Sequence, residues 1–182
     1  GYLVYASCVL GTILFAASSF QQVGLLYTTA SNAGFITGMY MVFVPIFGLM
    51  LGMATGLVTW LGCIVAAIGL FMLGVNDQYR MGYGDLLQLA GAGIWALHIL
   101  AIDHFTKHAP GVQLACGQFV VCAALGILVS VASAGEPTSW PQLVAAGPTL
   151  ISAGIITVGV AYTLQIVAQA KANPVHAGII VG

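Results

Sequence analysis

The sequence predicts an all-α integral membrane protein, folded as a bundle of several membrane-spanning helices. Of its 182 residues, 60% are hydrophobic and 4% carry a full charge, whereas soluble domains are about 25% charged. The mean hydropathy is +1.07, and the seven charged residues separate apolar tracts that are as long as a bilayer requires. The lipid bilayer is therefore an expected partner. Nucleic acid is not, because the sequence has no basic patch to neutralise phosphates.

Turn residues and charges divide the chain into six complete spans and the start of a seventh. The first span stops at "TTASN", a cluster of small polar residues that is typical of a loop. The uncharged tract 34–73 would be about 60 Å long as one helix, twice the hydrocarbon core of about 30 Å, so it must fold back at "GMATG". The predicted spans are 3–27, 34–51, 57–73, 85–104, 111–134 and 143–170, followed by a new apolar stretch after Pro174.

Two acids bound the predicted span 85–104. Asp85 is placed to cap the first turn of the helix, and Asp103 is expected at its far end, beside Lys107 one turn later. The stretch "GYGD", 82–85, also matches the GxGD pattern of intramembrane aspartyl proteases, which need two carboxylates that share a proton. Asp103 lies eighteen residues further along the helix, about 27 Å away by helical rise. The sequence therefore predicts no catalytic pair, and an enzyme is not expected.

The four cysteines all lie inside apolar tracts. They form no CxxC pair and have no histidines at ligand spacing, which argues against a metal site or a disulfide framework. We interpret them as small packing residues, and the sequence predicts neither a metal nor a cofactor.

A partial internal sequence similarity links "ASNAGFITGMYMVFVP", 30–45, to "HAGIIVG", 176–182. A shift of 144 residues aligns several pairs without a gap, among them Gln21 with Gln165, Gly34 with Gly178 and Gly38 with Gly182. Between the two segments the chain crosses the membrane five times, so equivalent helices must run in opposite directions. This pattern predicts an inverted repeat of five spans, an architecture common among secondary transporters.

Three stretches resemble the EamA family of the drug/metabolite transporter (DMT) superfamily: "QQVGLLYTTASNAGFITGMYMVFVPIFGLMLG", "TWLGCIVAAIGLFML" and "GDLLQLAGAGIWALHIL". The resemblance extends over essentially the whole chain. It implies a fragment of a ten-helix transporter with two inverted five-helix repeats. Residues 1–73 would be the C-terminal part of the first repeat (helices 3–5) and 74–84 the loop between repeats. Residues 85–182 would be an incomplete second repeat, with helices 6–8 and the start of helix 9.

The same resemblance implies a function. Members of the family move small metabolites or drugs, so the expectation is a secondary transporter, by preference an exporter, that works by alternating access. Its place would be the bacterial inner membrane, crossed several times, and its partner a small-molecule substrate, with a second copy of the chain as a further candidate. A membrane channel or a non-transporting membrane subunit stays open as the alternative, although the sequence shows no ring of charged residues that a channel would use.

The family's orientation, with a cytoplasmic N-terminus, can be compared with the charges. It would place the loops that contain Lys107 and Lys171 in the cytoplasm, and Asp77, Arg80 and Glu136 on the opposite side. Two basic residues inside against one outside agrees with the positive-inside rule.

Polar residues deep inside spans are the candidates for a substrate site, because they are costly to place in hydrocarbon. Trp95 is ten residues into its span, about 15 Å along the axis and hence near the midplane, and His98 shares its face. Gln21 and Gln165 are equivalent under the repeat. The substrate-binding candidates are Trp95, His98, Gln21 and Gln165, with Tyr40 and Gln118 as weaker ones. The alternative is that the histidine and the glutamines only hydrogen-bond neighbouring helices together.

Two pairs of glycines have the spacing of a close helix contact. Gly34 and Gly38 lie one turn apart, as do Gly178 and Gly182, so we expect another backbone to approach them. The contact could be packing alone, or a mobile seam along a central cavity. Pro45, in the same span, is expected to kink the helix.

Overall fold

The computed structural model describes residues 1–53, 55–74, 81–133 and 139–170, and regular structure in these ranges is helical. The helices are α1 (Tyr2–Leu25), α2 (Ala30–Gly38), α3 (Tyr40–Met50), α4 (Leu57–Gly74), α5 (Tyr83–Thr106), α6 (Gly111–Ala132), α7 (Trp140–Ser152), a π-helical segment (Ala153–Tyr162) and α8 (Thr163–Gln169).

Five stretches of the described chain are long and apolar enough to cross a membrane. They are Tyr2–Leu25, Ala30–Met50, Tyr83–Thr106, Gly111–Ala132 and Trp140–Gln169. The predicted fold class, an all-α multi-span membrane protein, is therefore confirmed. The predicted seventh stretch, after Pro174, lies outside the described residues.

We expect the shorter helix α4 to cross the membrane as well, because of the arrangement of the helices around it. It has 18 residues, about 27 Å by helical rise. The start of α1 packs on the end of α5, where the rings of Tyr2 and Phe105 are 6.0 Å apart. The end of α1 packs on the start of α5, where a Cβ added to Gly24 would lie 3.1 Å from the Gly84 carbonyl oxygen. Because α1 and α5 are antiparallel, the chain must cross twice between them, once through α2 and α3 and once through α4.

The second span differs from its prediction at both its start and its middle. Part of the "TTASN" loop is helical: α2 begins at Ala30, and the Thr29 side chain accepts a hydrogen bond from the Asn32 N–H at 3.2 Å, as an N-cap residue does. The helix is interrupted at Met39, where the N–H donates to the Ile36 carbonyl, a tighter 3₁₀-type bond. The interruption thus lies six residues before Pro45, at which the sequence predicted a kink.

Pro45 itself lies inside α3 and is buried. Proline has no N–H, so it cannot donate to the carbonyl of Met41, four residues earlier. The thiol of Cys63, on α4, donates to that carbonyl at 3.5 Å. Cys63 therefore does more than fill space, because it satisfies a backbone group that the proline leaves free.

The centre of the bundle is α5, which packs against α1, α2, α3 and α8. On one side, Ile102 and Phe105 join a core cluster with side chains of α1, α6 and α8, among them Leu10, Leu114 and Ile166. On the other side, Ala96, Ile99 and Leu100 pack on Val44 of α3. In a bilayer such contacts stabilise through close packing rather than through exclusion of water.

Glycines allow close helix contacts at other places than predicted. A Cβ at Gly11 would lie 2.6 Å from the Val121 Cβ, and one at Gly84 would lie 2.6 Å from the Tyr27 carbonyl carbon, so neither site tolerates a side chain. Gly34, in contrast, is exposed, and a Cβ there would meet no described atom within 4 Å. The expected helix contact at Gly34 is therefore not found within the described ranges.

The helix contacts predicted at Gly38, Gly178 and Gly182 stay predictions. Gly38 is buried. Gly178 and Gly182 lie outside the described residues, so a seam between the two glycine pairs stays a prediction.

Candidate functional site

Four of the six residues that the sequence singled out surround one cavity of about 170 Å³. Its lining residues are Gln21, Thr37, Tyr40, Trp95, Ile99, Tyr162 and Gln165. They come from α1, α2, α3, α5, the π-helical segment and α8, so the cavity lies where most of the described spans meet. We call it the polar cavity. The described side chains that line it are neutral, and they combine two carboxamides, two phenols, a hydroxyl and an indole.

The two glutamines reach the polar cavity from antiparallel helices. Ile166 of α8 packs in the same cluster as Ala6 and Leu10, near the start of α1. Val158, two turns earlier in the π-helical segment, borders a second cavity with Ser18, near the end of α1. The last described span therefore runs opposite to α1, so Gln21 and Gln165 border the polar cavity from antiparallel helices.

His98 lies behind the polar cavity rather than in its lining. Its side chain is buried, with 3% exposure, and Nε2 lies 3.0 Å from Oε1 of Gln118 on α6. With that oxygen as acceptor, the imidazole donates from Nε2 and bridges α5 to α6, as the alternative interpretation of this histidine expected. Its ring is still in edge contact with Trp95, at 5.8 Å between centroids.

Three polar atoms at this place have no hydrogen-bond partner among the described residues. They are Nδ1 of His98, Nε2 of Gln118 and Nε1 of Trp95, all buried. Buried polar groups are nearly always hydrogen-bonded in folded proteins.

Gln88 is a site residue that the sequence did not single out. Its side chain is 1% exposed, accepts from the Thr37 hydroxyl at 3.1 Å and donates from Nε2 to the Gln21 carbonyl oxygen at 2.8 Å. It therefore ties α1, α2 and α5 together through two residues of the polar cavity. The signal that could have found it is its place one turn after Asp85 on the same helix face.

Asp85 and Asp103 are both engaged in hydrogen bonds. The helix begins at Tyr83, two residues before the predicted start, so Asp85 caps the first turn from the third helical position: its Oδ2 accepts from the Gly82 N–H at 2.8 Å. Its Oδ1 accepts from the Thr28 hydroxyl. Asp103 forms the expected ion pair with Lys107, at 2.7 Å. The two acids lie at opposite ends of α5 and do not form a pair. No group of His, Cys, Asp and Glu side chains that could hold a metal ion is found among the described residues.

A second cavity, of about 230 Å³, adjoins the polar one. It is lined by Leu14, Ser18, Phe119, Cys122, Ala123, Val158 and Tyr162, and we call it the apolar cavity. Tyr162 belongs to both cavities. Its ring lies 6.0 Å from Trp95 on the polar side and is stacked on Phe119 at 6.5 Å on the apolar side. Tyr162 ends the π-helical segment, where the sequence predicted an ordinary helix. π-Helical turns occur frequently at functional sites.

The chain is similar to one protein named as a transporter. It is 29% identical over 137 residues to an uncharacterized transporter of Archaeoglobus fulgidus, a match that covers 66% of this chain and 40% of the relative. The chain thus spans less than half the length of that relative. No family model matches the sequence, and no solved structure matches it. The similarity supports a relationship to transporters and does not single out the EamA family.

Proposed function

We propose that the chain forms part of a secondary transporter that moves a small neutral or weakly charged compound through the polar cavity. The observation that carries the proposal is the convergence of Gln21, Tyr40, Trp95 and Gln165 on one cavity inside a membrane bundle. The similarity to a transporter supports it. We also propose that this transporter belongs to the EamA family, lies in the bacterial inner membrane and works as an exporter.

The inverted repeat, with its division into 1–73, 74–84 and 85–182, belongs to the same proposal. Two observations support it. The last described span runs antiparallel to α1, as inverted repeats require. Gln21 and Gln165, which the shift of 144 residues makes equivalent, border the same cavity.

The lining of the polar cavity suggests how a substrate would be held. Each carboxamide offers both a donor and an acceptor, and the Tyr40 hydroxyl can do either. Trp95 provides a flat apolar face. A compound with a neutral hydrogen-bonding group is favoured, because the lining that the structure describes has no charge to balance an ionic one.

Alternating access requires that the cavity be closed on one side at a time. On the side of the α1–α2 loop, two layers of hydrogen bonds lie between the cavity and the surface: Gln88 with Thr37 and Gln21, and Asp85 with Thr28. Beyond them lies an open groove that is bordered by Asn32 and Asp85. In this proposal the two layers of hydrogen bonds close the cavity on that side, and the break at Met39 is where α2 would move relative to α3.

The test is transport by cells that express the protein from its full gene, with a compound identified by comparing metabolites inside and outside those cells. Gln21→Leu and Gln165→Leu should each lower the initial rate about tenfold, because loss of a hydrogen bond to a buried polar group costs roughly 1–3 kcal/mol. Gln22→Leu is the matched control, since Gln22 is exposed on the same helix. Membrane abundance is measured in parallel.

Unchanged rates for both cavity variants would refute the proposal. So would a flux that does not saturate with concentration, because that behaviour is typical of a channel.

A further inference from the structure

We propose that the apolar cavity is a second subsite, which takes the aromatic or aliphatic part of an amphipathic substrate whose polar group occupies the polar cavity. Tyr162 is the wall that the two subsites share. This inference rests on the proposed function and names the chemical class of the substrate: neutral compounds with one hydrogen-bonding end and one apolar end.

The volumes favour a two-part site. The polar cavity alone, at about 170 Å³, is smaller than the roughly 300–1,000 Å³ of pockets that hold metabolites or drugs. Together with the apolar cavity the space reaches about 400 Å³, which lies inside that range. The two cavities, which share Tyr162 as a wall, together offer enough space for a substrate of ordinary metabolite size.

The side chains of the apolar cavity suit an uncharged, flat group. Apart from Ser18 and Tyr162 its lining is apolar, and Phe119 already stacks on Tyr162 with an angle of 25° between the ring planes. Aromatic guests prefer such offset-stacked neighbours. Cys122 adds a small apolar surface.

The position of Tyr162 lets one side chain serve both subsites. Its ring contacts Trp95 on one side and Phe119 on the other, so a compound that spans the two cavities passes along the ring. Ala153–Tyr162 has the wider π-helical winding. A change of one π turn to an α turn would re-aim Tyr162, the wall that the two subsites share.

The experiment compares two probes that differ only in the apolar end. N-acetylphenylalaninamide and N-acetylglycinamide share the same neutral amides, and their equilibrium binding to the purified full-length protein is measured by calorimetry in detergent. We expect the phenylalanine compound to bind at least tenfold more tightly, because burial of a phenyl group is favourable by that factor or more.

Two substitutions on α6 locate the phenyl group. Ala123 is exposed at the rim of the apolar cavity, so Ala123→Phe places a ring over that cavity and should reduce the affinity ratio of the two probes to less than twofold. Val120→Phe introduces the same side chain at an exposed position three residues earlier and should leave the ratio unchanged. If Ala123→Phe does not fold, Cys122→Leu fills the cavity by a smaller volume and should lower the ratio in the same direction.

Three outcomes would overturn the subsite: equal binding of the two probes, no binding of either, or an affinity ratio that survives filling of the cavity. The last result would leave the cavity to a lipid chain. Gln165→Leu separates this test from that of the proposed function, since it should weaken both probes alike without changing their ratio. If Gln165→Leu has no effect while Ala123→Phe does, the apolar subsite stands and the polar site is refuted.

Discussion

Replacement of Gln88 by leucine should destabilise the bundle more than the same replacement at an exposed glutamine. The change removes two hydrogen bonds, one from the Thr37 hydroxyl at 3.1 Å and one to the Gln21 carbonyl at 2.8 Å. Gly24 allows this arrangement, because a Cβ there would lie 2.7 Å from Gln88 Nε2. Leucine has nearly the same volume, so the loss should come from the hydrogen bonds rather than from an empty space.

The magnitude follows from measured interhelical bonds in membranes, which contribute about 0.6 kcal/mol each on average and at most about 1.7 kcal/mol. Two such bonds predict that Gln88→Leu lowers the free energy of unfolding by about 1–3 kcal/mol. Reversible unfolding by sodium dodecyl sulfate in mixed micelles measures this quantity. Gln113→Leu, at an exposed position of α6, is the matched control and should change it by less than about 0.5 kcal/mol.

A double-mutant cycle with Thr37→Val assigns the loss to the bond itself. If Thr37 and Gln88 interact as described, the two changes together should cost about 0.6 kcal/mol less than the sum of the single changes. A Gln88→Leu effect no larger than that of Gln113→Leu, or an additive cycle, would refute the view that this side chain holds three helices together.

Two further predictions use other contacts. His98→Leu and Gln118→Leu should each lower the free energy of unfolding by about 1–3 kcal/mol, because each leaves a buried partner unpaired. The double variant should cost less than the sum of the two single variants. Additive losses would contradict the hydrogen bond between the two side chains. Single cysteines are introduced at Gly56 and Gly82 in a background without the native cysteines. They should react with an impermeant thiol reagent from opposite faces of the membrane, because we expect α4 to cross it. Reaction from the same face would show that α4 does not cross.

The spans could be predicted from the sequence because hydropathy and charge alone determine which tracts can enter a bilayer. The place of the helix break could not. Pro45 lies inside α3, and the Met41 carbonyl that it leaves free accepts from Cys63, so the kink at Pro45 stays a prediction. The sequence did not predict the break at Met39, which separates α2 from α3.

The polar cavity was predictable in part, for a physical reason. Polar groups inside a span are costly in lipid, which favours an interior position for Gln21, Gln165 and Trp95, and all three line the polar cavity. Tyr162 and Thr37 were missed because tyrosine and threonine occur in spans in many roles. His98 was predicted to line the pathway, but it lies behind Trp95 and bonds to Gln118, since depth along a helix does not determine which neighbour a side chain meets.

The bond between Cys63 and the Met41 carbonyl makes two distant positions depend on each other during evolution. While residue 45 is a proline, that carbonyl needs a donor from α4, and cysteine, serine or threonine at position 63 can supply one. If residue 45 is not a proline, its own N–H can donate to that carbonyl, and position 63 can then be alanine or valine. Exchange of the proline is therefore the step that should come first in any lineage that loses the thiol, because the reverse order passes through a protein with an unsatisfied carbonyl in its buried core.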